Sequence, residues 1–187
     1  GFVNGILRKI SSEKDKLTFD DLSIKYSMPE SILNIIENNT GEYFEKTLEY
    51  FLETKPVSIR VNTSKTNVED IVKELESENI KVKVSKLNED VIYISGFDKV
   101  DDISVIKSGK CYITDTSSSM ISKVIKSEDI KKCVDVCAAP GGKTFLLADK
   151  INVDAKIFSC DISDNKVDII RENAKIQAFP NIIPIVA

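Results

Sequence analysis

The 187 residues suffice for one ordinary domain, or for a small domain and part of another. A composition that is 42% hydrophobic and 30% charged is that of a globular chain and excludes a disordered or fibrous protein. The net charge of −4 does not advertise nucleic-acid binding, so an RNA partner requires a local basic face, and no apolar run approaches the length of a membrane span.

The chain opens on Gly1-Phe2-Val3-Asn4 with no initiator Met, basic leader or cleavage site, which predicts an excerpt from a longer protein or a processed start. Phe2, Val3, Ile6, Leu7 and Ile10 recur at helical spacing, so residues 1–11 read as an amphipathic helix. A short helix is expected from Thr18 to Tyr26. Ser27-Met28-Pro29-Glu30 then reads as a capping box, followed by a helix burying Ile32, Leu33, Ile35 and Ile36. Tyr43 to Leu52 predicts another, with Phe44, Leu48 and Phe51 on one side. Residues 1–54 are therefore a helical segment.

At Lys55-Pro56 the pattern changes, and residues 55–108 read as a small α+β module. Val57 to Asn62 alternates as a strand, and Val68 to Leu75 is helical with Ile71, Val72 and Leu75 inward. Residues 81–86 and 91–94 form a hairpin pair across Asn88-Glu89-Asp90. Lys81, Lys83 and Lys86, with Arg60 and Lys65 nearby, are candidates for a phosphate-contacting face, or are simply the solvated side of a strand. Lys110 to Thr114 predicts a strand and Ser117 to Ile125 a helix.

From Cys133 the rhythm becomes strand 133–137, helix 142–151, strand 155–160, helix 164–177 and strand 182–186. Such alternation implies a parallel sheet, here the first half of a doubly wound, Rossmann-like α/β fold. The four cysteines have no Cys-x-x-Cys spacing and the chain has no His, which argues against a metal site and removes the usual general base. Three of the four lie in apolar strand-like runs and are expected to be buried thiols in a reducing cytoplasm.

Val134 to Thr144 carries the chemistry. A strand, a small-residue turn and a helix N-terminus make a site for a ligand's polar end. Gly142-Lys143-Thr144 matches the end of a Walker phosphate loop, but Cys137 holds the first glycine position. The turn also lacks the glycines of a dinucleotide fingerprint. Asp161, 19 residues after Gly142, ends the next strand, where a carboxylate can accept from both ribose hydroxyls of an adenosyl ligand. S-adenosylmethionine has a ribose and no phosphates, and fits both observations. Asp135 is expected to brace the backbone N–H groups of the loop, because a carboxylate in a buried strand needs donors. Lys143 either meets the cofactor's carboxylate or faces solvent.

Asp135 through Thr144 resembles the cofactor motif of the Sun-family (Fmu-like) RNA cytosine-5 methyltransferases. Ile59-Arg60-Val61-Asn62 is similar to that family's arginine–asparagine strand, and Asp115 to Ser118 to its Gln-Asp-x-Ser-Ser element, with Thr114 in place of Gln. Asp161 to Asn173 resembles its second-strand acid and following helix. Phe2 to Arg8 resembles the end of the NusB-like domain found in the 16S ribosomal RNA branch. Lys166, Ile176 and Ala178 depart from the usual Arg, Arg and Gly.

The resemblance implies that Cys137, Ala138, Ala139, Pro140, Gly141, Gly142 and Lys143 wrap the methionine end of S-adenosylmethionine while Asp161 holds its ribose, within a methyltransferase segment 109–187. It implies 16S ribosomal RNA as partner. It also implies a cysteine thiolate that attacks C6 of a cytosine so that C5 takes the methyl group, and a second cysteine that assists release. Those cysteines belong to motifs on the fourth and fifth strands, whereas this sequence ends on the third, so no residue here is assigned to that step. Strand 133–137 is then expected to be a bare edge, prone to non-native association, and cofactor affinity to be weak. A non-catalytic RNA-binding module of the same fold and a phosphate-loop protein stay open as alternatives.

Overall fold

The computed structural model describes residues 1–126 and 129–187. It divides into two compact units, Gly1–Lys55 and Pro56–Ala187. The first is helical, with α1 (Phe2–Glu13), α2 (Leu22–Lys25), α3 (Glu30–Thr40) and α4 (Phe44–Leu52). Its small core gathers Tyr26, Leu33 and Leu48, with Leu22, Met28, Ile36 and Phe44 packed against them.

Two expectations are corrected in this unit. Ser27 does not cap α3. It sits at φ 51°, Pro29 takes the N-cap position, and the helix starts at Glu30 without a side-chain cap. The buried face is also narrower than the apolar spacing implies, since Ile32, Ile35 and Phe51 are exposed. So small a set of helices has too little interior to cover a wide apolar stripe. α1 forms as its spacing predicts, yet it buries no residue.

The second unit opens with an antiparallel sheet. β1 (Val57–Val61), α5 (Val68–Ser77), β2 (Lys81–Val84), β3 (Val91–Ser95), α6 (Ser104–Lys107) and β4 (Cys111–Ile113) follow in sequence. The strands pair in the order β2-β3-β1-β4. One face carries Ile59, Val61, Ile92 and Ile94, which pack on Ile71 and Leu75 of α5. Asn67 caps that helix by accepting from the Asp70 N–H at 3.0 Å. The strand expected at Lys110 to Thr114 is β4, and it joins β1 rather than the parallel sheet.

Two short turns, α7 (Thr116–Ser119) and α8 (Ile121–Val124), replace the single helix expected from Ser117. Ser119 and Ser122 donate to the carbonyls of Thr116 and Ser119 three residues back, at 2.6 and 2.7 Å. Such side-chain bonds compete with the ordinary helical ladder.

β5 (Lys132–Asp135), α9 (Gly142–Lys150), β6 (Lys156–Asp161), α10 (Asp164–Gln177) and β7 (Ile182–Val186) then build a parallel sheet ordered β5-β6-β7. This is the first half of a Rossmann-like fold, with β5 at an edge. Phe145, Ile157, Ile170, Phe179 and Ile182 form its core. The expectation of buried thiols holds for Cys111 alone. Cys133 and Cys160 are half-buried and Cys137 is exposed; Cys133 lies on the edge strand and Cys137 in the loop that follows it, where little covers them. Among the described residues no helix is long and apolar enough to cross a membrane, and no cluster of metal-ligating side chains occurs.

Candidate functional site

The loop between β5 and α9 is held from both sides by carboxylates. Asp135, at the end of β5, accepts from the Thr144 hydroxyl at 2.8 Å and, at a longer 3.4 Å, from the Cys137 N–H. The expected brace exists, but its short bond goes to a side chain of α9 rather than to the loop backbone. Asp161, at the end of β6, accepts the Ala139 N–H at 2.9 Å and the Ile162 N–H at 2.8 Å. Those two bonds, Ala139 first, hold its carboxyl below the ordinary aspartate value, and Lys166 at 3.2 Å adds to them. Asp161 is therefore ionised at neutral pH.

The Ala139–Pro140 peptide is cis, and Asn173 of α10 donates to the Pro140 carbonyl at 3.0 Å. Gly141 follows with φ 116°, a conformation open to glycine and few other residues. A Cβ there would lie 2.2 Å from the Phe145 ring. That ring cannot swing aside, because Tyr112 packs edge-on at 5.6 Å and Phe179 stacks on it at 6.1 Å. Gly142 is different, since a Cβ there would meet nothing nearer than 3.9 Å.

A cavity of about 180 Å³ runs along the loop between Thr114, Asp115 and Ser118 on one side and Cys137, Ala139 and Lys143 on the other. It is where the Asp115 element meets the glycine loop. Asp115 caps α7, accepting from the Ser117 hydroxyl and from the Ser117 and Ser118 N–H groups. Those bonds, the Ser117 hydroxyl first, lower its carboxyl pKa as well. With Asp161 ionised at one end and the N-terminus of α9 at the other, the loop suits a ligand with hydroxyl donors and a small anionic group. A polyphosphate would meet the carboxylates instead of a cradle of N–H groups.

Two family models match this sequence. The RsmF/B-like methyltransferase ferredoxin-like domain covers residues 28–101, and the 16S rRNA methyltransferase RsmB/F domain covers residues 122–185. The chain belongs to the RsmB/F methyltransferase family. It is 28% identical over 177 residues to the probable ribosomal RNA small subunit methyltransferase B of Coxiella burnetii, covering 92% of this chain and 41% of the relative. The crystal structure of PH0851 superposes with a TM-score of 0.82 at 28% identity, over 89% of this chain and 38% of that one. NSun6 from Pyrococcus horikoshii, solved with the S-adenosylmethionine analogue SFG, gives 0.74 at 17% identity over 85% of this chain and 65% of that one. The chain spans about two fifths of the length of the curated relatives it matches.

In this RsmB/F chain the residues singled out from sequence do assemble. Ala138 and Gly141 are buried, Ala139 and Gly142 half-buried, and Cys137, Pro140 and Lys143 line the loop's outer side. Asp161 is 8% exposed and touches the loop through Ala139. The candidate phosphate face loses Arg60 and keeps its strand lysines. Arg60 is wholly buried, donating to Tyr112 at 2.8 Å, Asp149 at 2.9 Å and Asp90 at 2.9 Å. Lys65 donates to the carbonyls of Ser108 and Ile176. Lys81, Lys83 and Lys86 stay exposed. The contacts of Lys166 and Asn173 with the site were missed, and only their helical phase, with Asp164 starting the helix after Asp161, could have indicated them.

Proposed function

We propose that this chain forms the cofactor-binding half of an S-adenosylmethionine-dependent ribosomal RNA methyltransferase acting on C5 of a cytosine. The carrying observation is the ionised Asp161 anchored to a small-residue loop at the head of α9. The residues fit the cofactor. Asp161 already accepts from Ala139, Ile162 and Lys166, and a carboxylate has about four acceptor positions, so one stays open to a ribose hydroxyl. The first N–H groups of α9, with Lys143 beside them, take the cofactor's carboxylate. Asp135 and Asn173 hold the loop in shape from opposite sides. When bound, the cofactor supplies an electrophilic methyl group.

The relatives' names support small-subunit ribosomal RNA as substrate. The thiolate that makes C5 nucleophilic is assigned to cysteines outside this sequence. Burial pushes the Cys111 thiol up to about 12 and raises Cys133, whereas nucleophilic thiols need a lowered value. Cys160 is packed in β6, its carbonyl accepting from Ala138, and Cys137 forms a wall of the cofactor loop.

Amide NMR titration tests the reading even where affinity is weak. S-adenosylmethionine should shift Ala138, Ala139, Gly142, Lys143 and Ile162, and Asp161→Asn should remove the effect. ATP shifting the loop where S-adenosylmethionine does not would overturn it and return the phosphate-loop alternative.

A further inference from the structure

The antiparallel sheet buries one face against α5; its other face is covered by α9 at Arg60 and Tyr112 and is open around Lys81, Lys83 and Tyr93. On that second face the register places Lys83 opposite Tyr93, Lys81 opposite Ser95, and Tyr93 opposite Ser58 on the next strand. These residues surround a cavity of about 310 Å³ lined by Pro56, Lys81, Val82, Lys83, Tyr93 and Ser95. That is the low end for small-ligand clefts, which run from roughly 300 to 1,000 Å³. Both charged lining residues are lysines, and both are exposed. Tyr93 is half-buried, and its hydroxyl is tied to the Thr116 hydroxyl at 2.9 Å, so the ring is fixed before any ligand arrives.

Paired strands link Tyr93 to the cofactor loop on the same face. Ser58 bonds Thr114 twice, taking its N–H at 3.2 Å and donating to its carbonyl at 2.7 Å. Thr114 and Asp115 then line the cavity beside Cys137 and Lys143. From Tyr93 to Thr114 is two strand spacings, roughly 10 Å.

We propose that this cavity holds one unpaired nucleotide of a single-stranded RNA, its base stacked on Tyr93 and its phosphates met by Lys81 and Lys83. The inference rests on reading the chain as part of an RNA methyltransferase, and it names the form of RNA that reaches the loop. A flat aromatic on an open sheet suits a splayed base, because every base has a stacking face and only unpaired ones expose it. Two lysines on one strand, two residues apart, match a backbone running past them. A duplex keeps its bases stacked inside and offers Tyr93 nothing.

The test measures binding of the chain to a fluorescein-labelled 12-nucleotide single strand and to the blunt duplex it forms with its complement, at several salt concentrations. The single strand should bind more tightly than the duplex. Tyr93→Leu should weaken single-strand binding about 5- to 150-fold, the range for loss of one base stack. Tyr93→Phe, which keeps the ring and loses the Thr116 bond, should bind as the parent does. Lys81→Glu with Lys83→Glu should flatten the salt dependence, by roughly 0.7 in log–log slope for each phosphate that is no longer neutralised. Should Tyr93→Leu fail to fold, photocrosslinking of a 4-thiouridine strand to the parent chain should label the peptide holding Tyr93, and labelling only elsewhere overturns the inference. Single-strand affinity indifferent to Tyr93→Leu, or a blunt duplex bound as tightly, overturns the inference while the methyltransferase reading stands. No binding of either RNA overturns it together with any RNA role for this sheet, and the cofactor titration then judges the loop separately.

Discussion

Gly141 and Gly142 look interchangeable in the sequence, and the structure separates them. At Gly141 a methyl group would be placed inside the Phe145 ring, and the backbone φ of 116° disfavours any side chain. Gly141→Ala should therefore cost about 2–4 kcal/mol, combining overpacking of a closed core with a left-handed residue that is not glycine. Urea unfolding would measure it, and a change under about 0.5 kcal/mol, the level of neutral surface substitutions, would mean that the loop is looser than described. Gly142→Ala should leave stability nearly unchanged, since its Cβ meets only ordinary contacts. It lines the loop cavity, so its effect belongs to cofactor-induced NMR shifts and not to the unfolding midpoint. The two glycines thus divide fold from ligand within one dipeptide.

β1 and α9 are joined by a contact that no local pattern announces. Arg60 of β1 reaches Asp149 of α9 in a pair with neither side chain exposed, and Thr63 and Ser64 donate to the same carboxylate. The Tyr112 hydroxyl accepts from the same Arg60 nitrogen, and its ring packs perpendicular to Phe145, the ring that Gly141 abuts. Asn62 makes a second tie, donating to the backbone and side-chain oxygens of Gln177 at the end of α10. Arg60→Met should destabilise the chain by about 3 kcal/mol, the low end for breaking a buried pair, because Asp149 keeps two donors. Arg60→Met with Asp149→Leu should recover much of that loss. If the double variant is no more stable than the single one, the pair is not what joins the elements. The helix–strand alternation from β5 onward was legible, and α10 and β7 fall on their expected residues, since α10 has one buried face and β7 is a short apolar run. So was the glycine turn; the bond from the Ala139 N–H to Asp161 was not, since the brace of the loop was expected from Asp135. Arg60 was not, because an arginine in an alternating strand reads as solvent-facing and its partner lies 89 positions away. Ser27 misled for the opposite reason, because a local capping pattern was overridden by the path of the chain into Pro29.

Across the chain as a whole, the stripe on α1 and the edge of β5 are both apolar and uncovered, and they differ in kind. The stripe on α1, from Phe2 to Ile10, offers side chains only, for the helix satisfies its own backbone. β5 lies at the sheet edge, with Val134 58% exposed and Val136 just beyond it 73% exposed, and an edge strand also presents unpaired N–H and C=O groups. We propose that concentrated solutions of this chain associate through β5, since there, unlike on α1, backbone bonds add to apolar burial. Sedimentation velocity should then show a concentration-dependent rise in mass that Val134→Lys suppresses, a charge in mid-edge being a common block to pairing. Leu7→Glu on α1 should leave the association in place. Amide exchange sharpens the distinction, because strand pairing slows exchange of the outward β5 N–H groups as concentration rises, and helix contact does not. A chain that stays monomeric across the range, or one rescued by Leu7→Glu and not by Val134→Lys, would exclude the β5 edge as the contact.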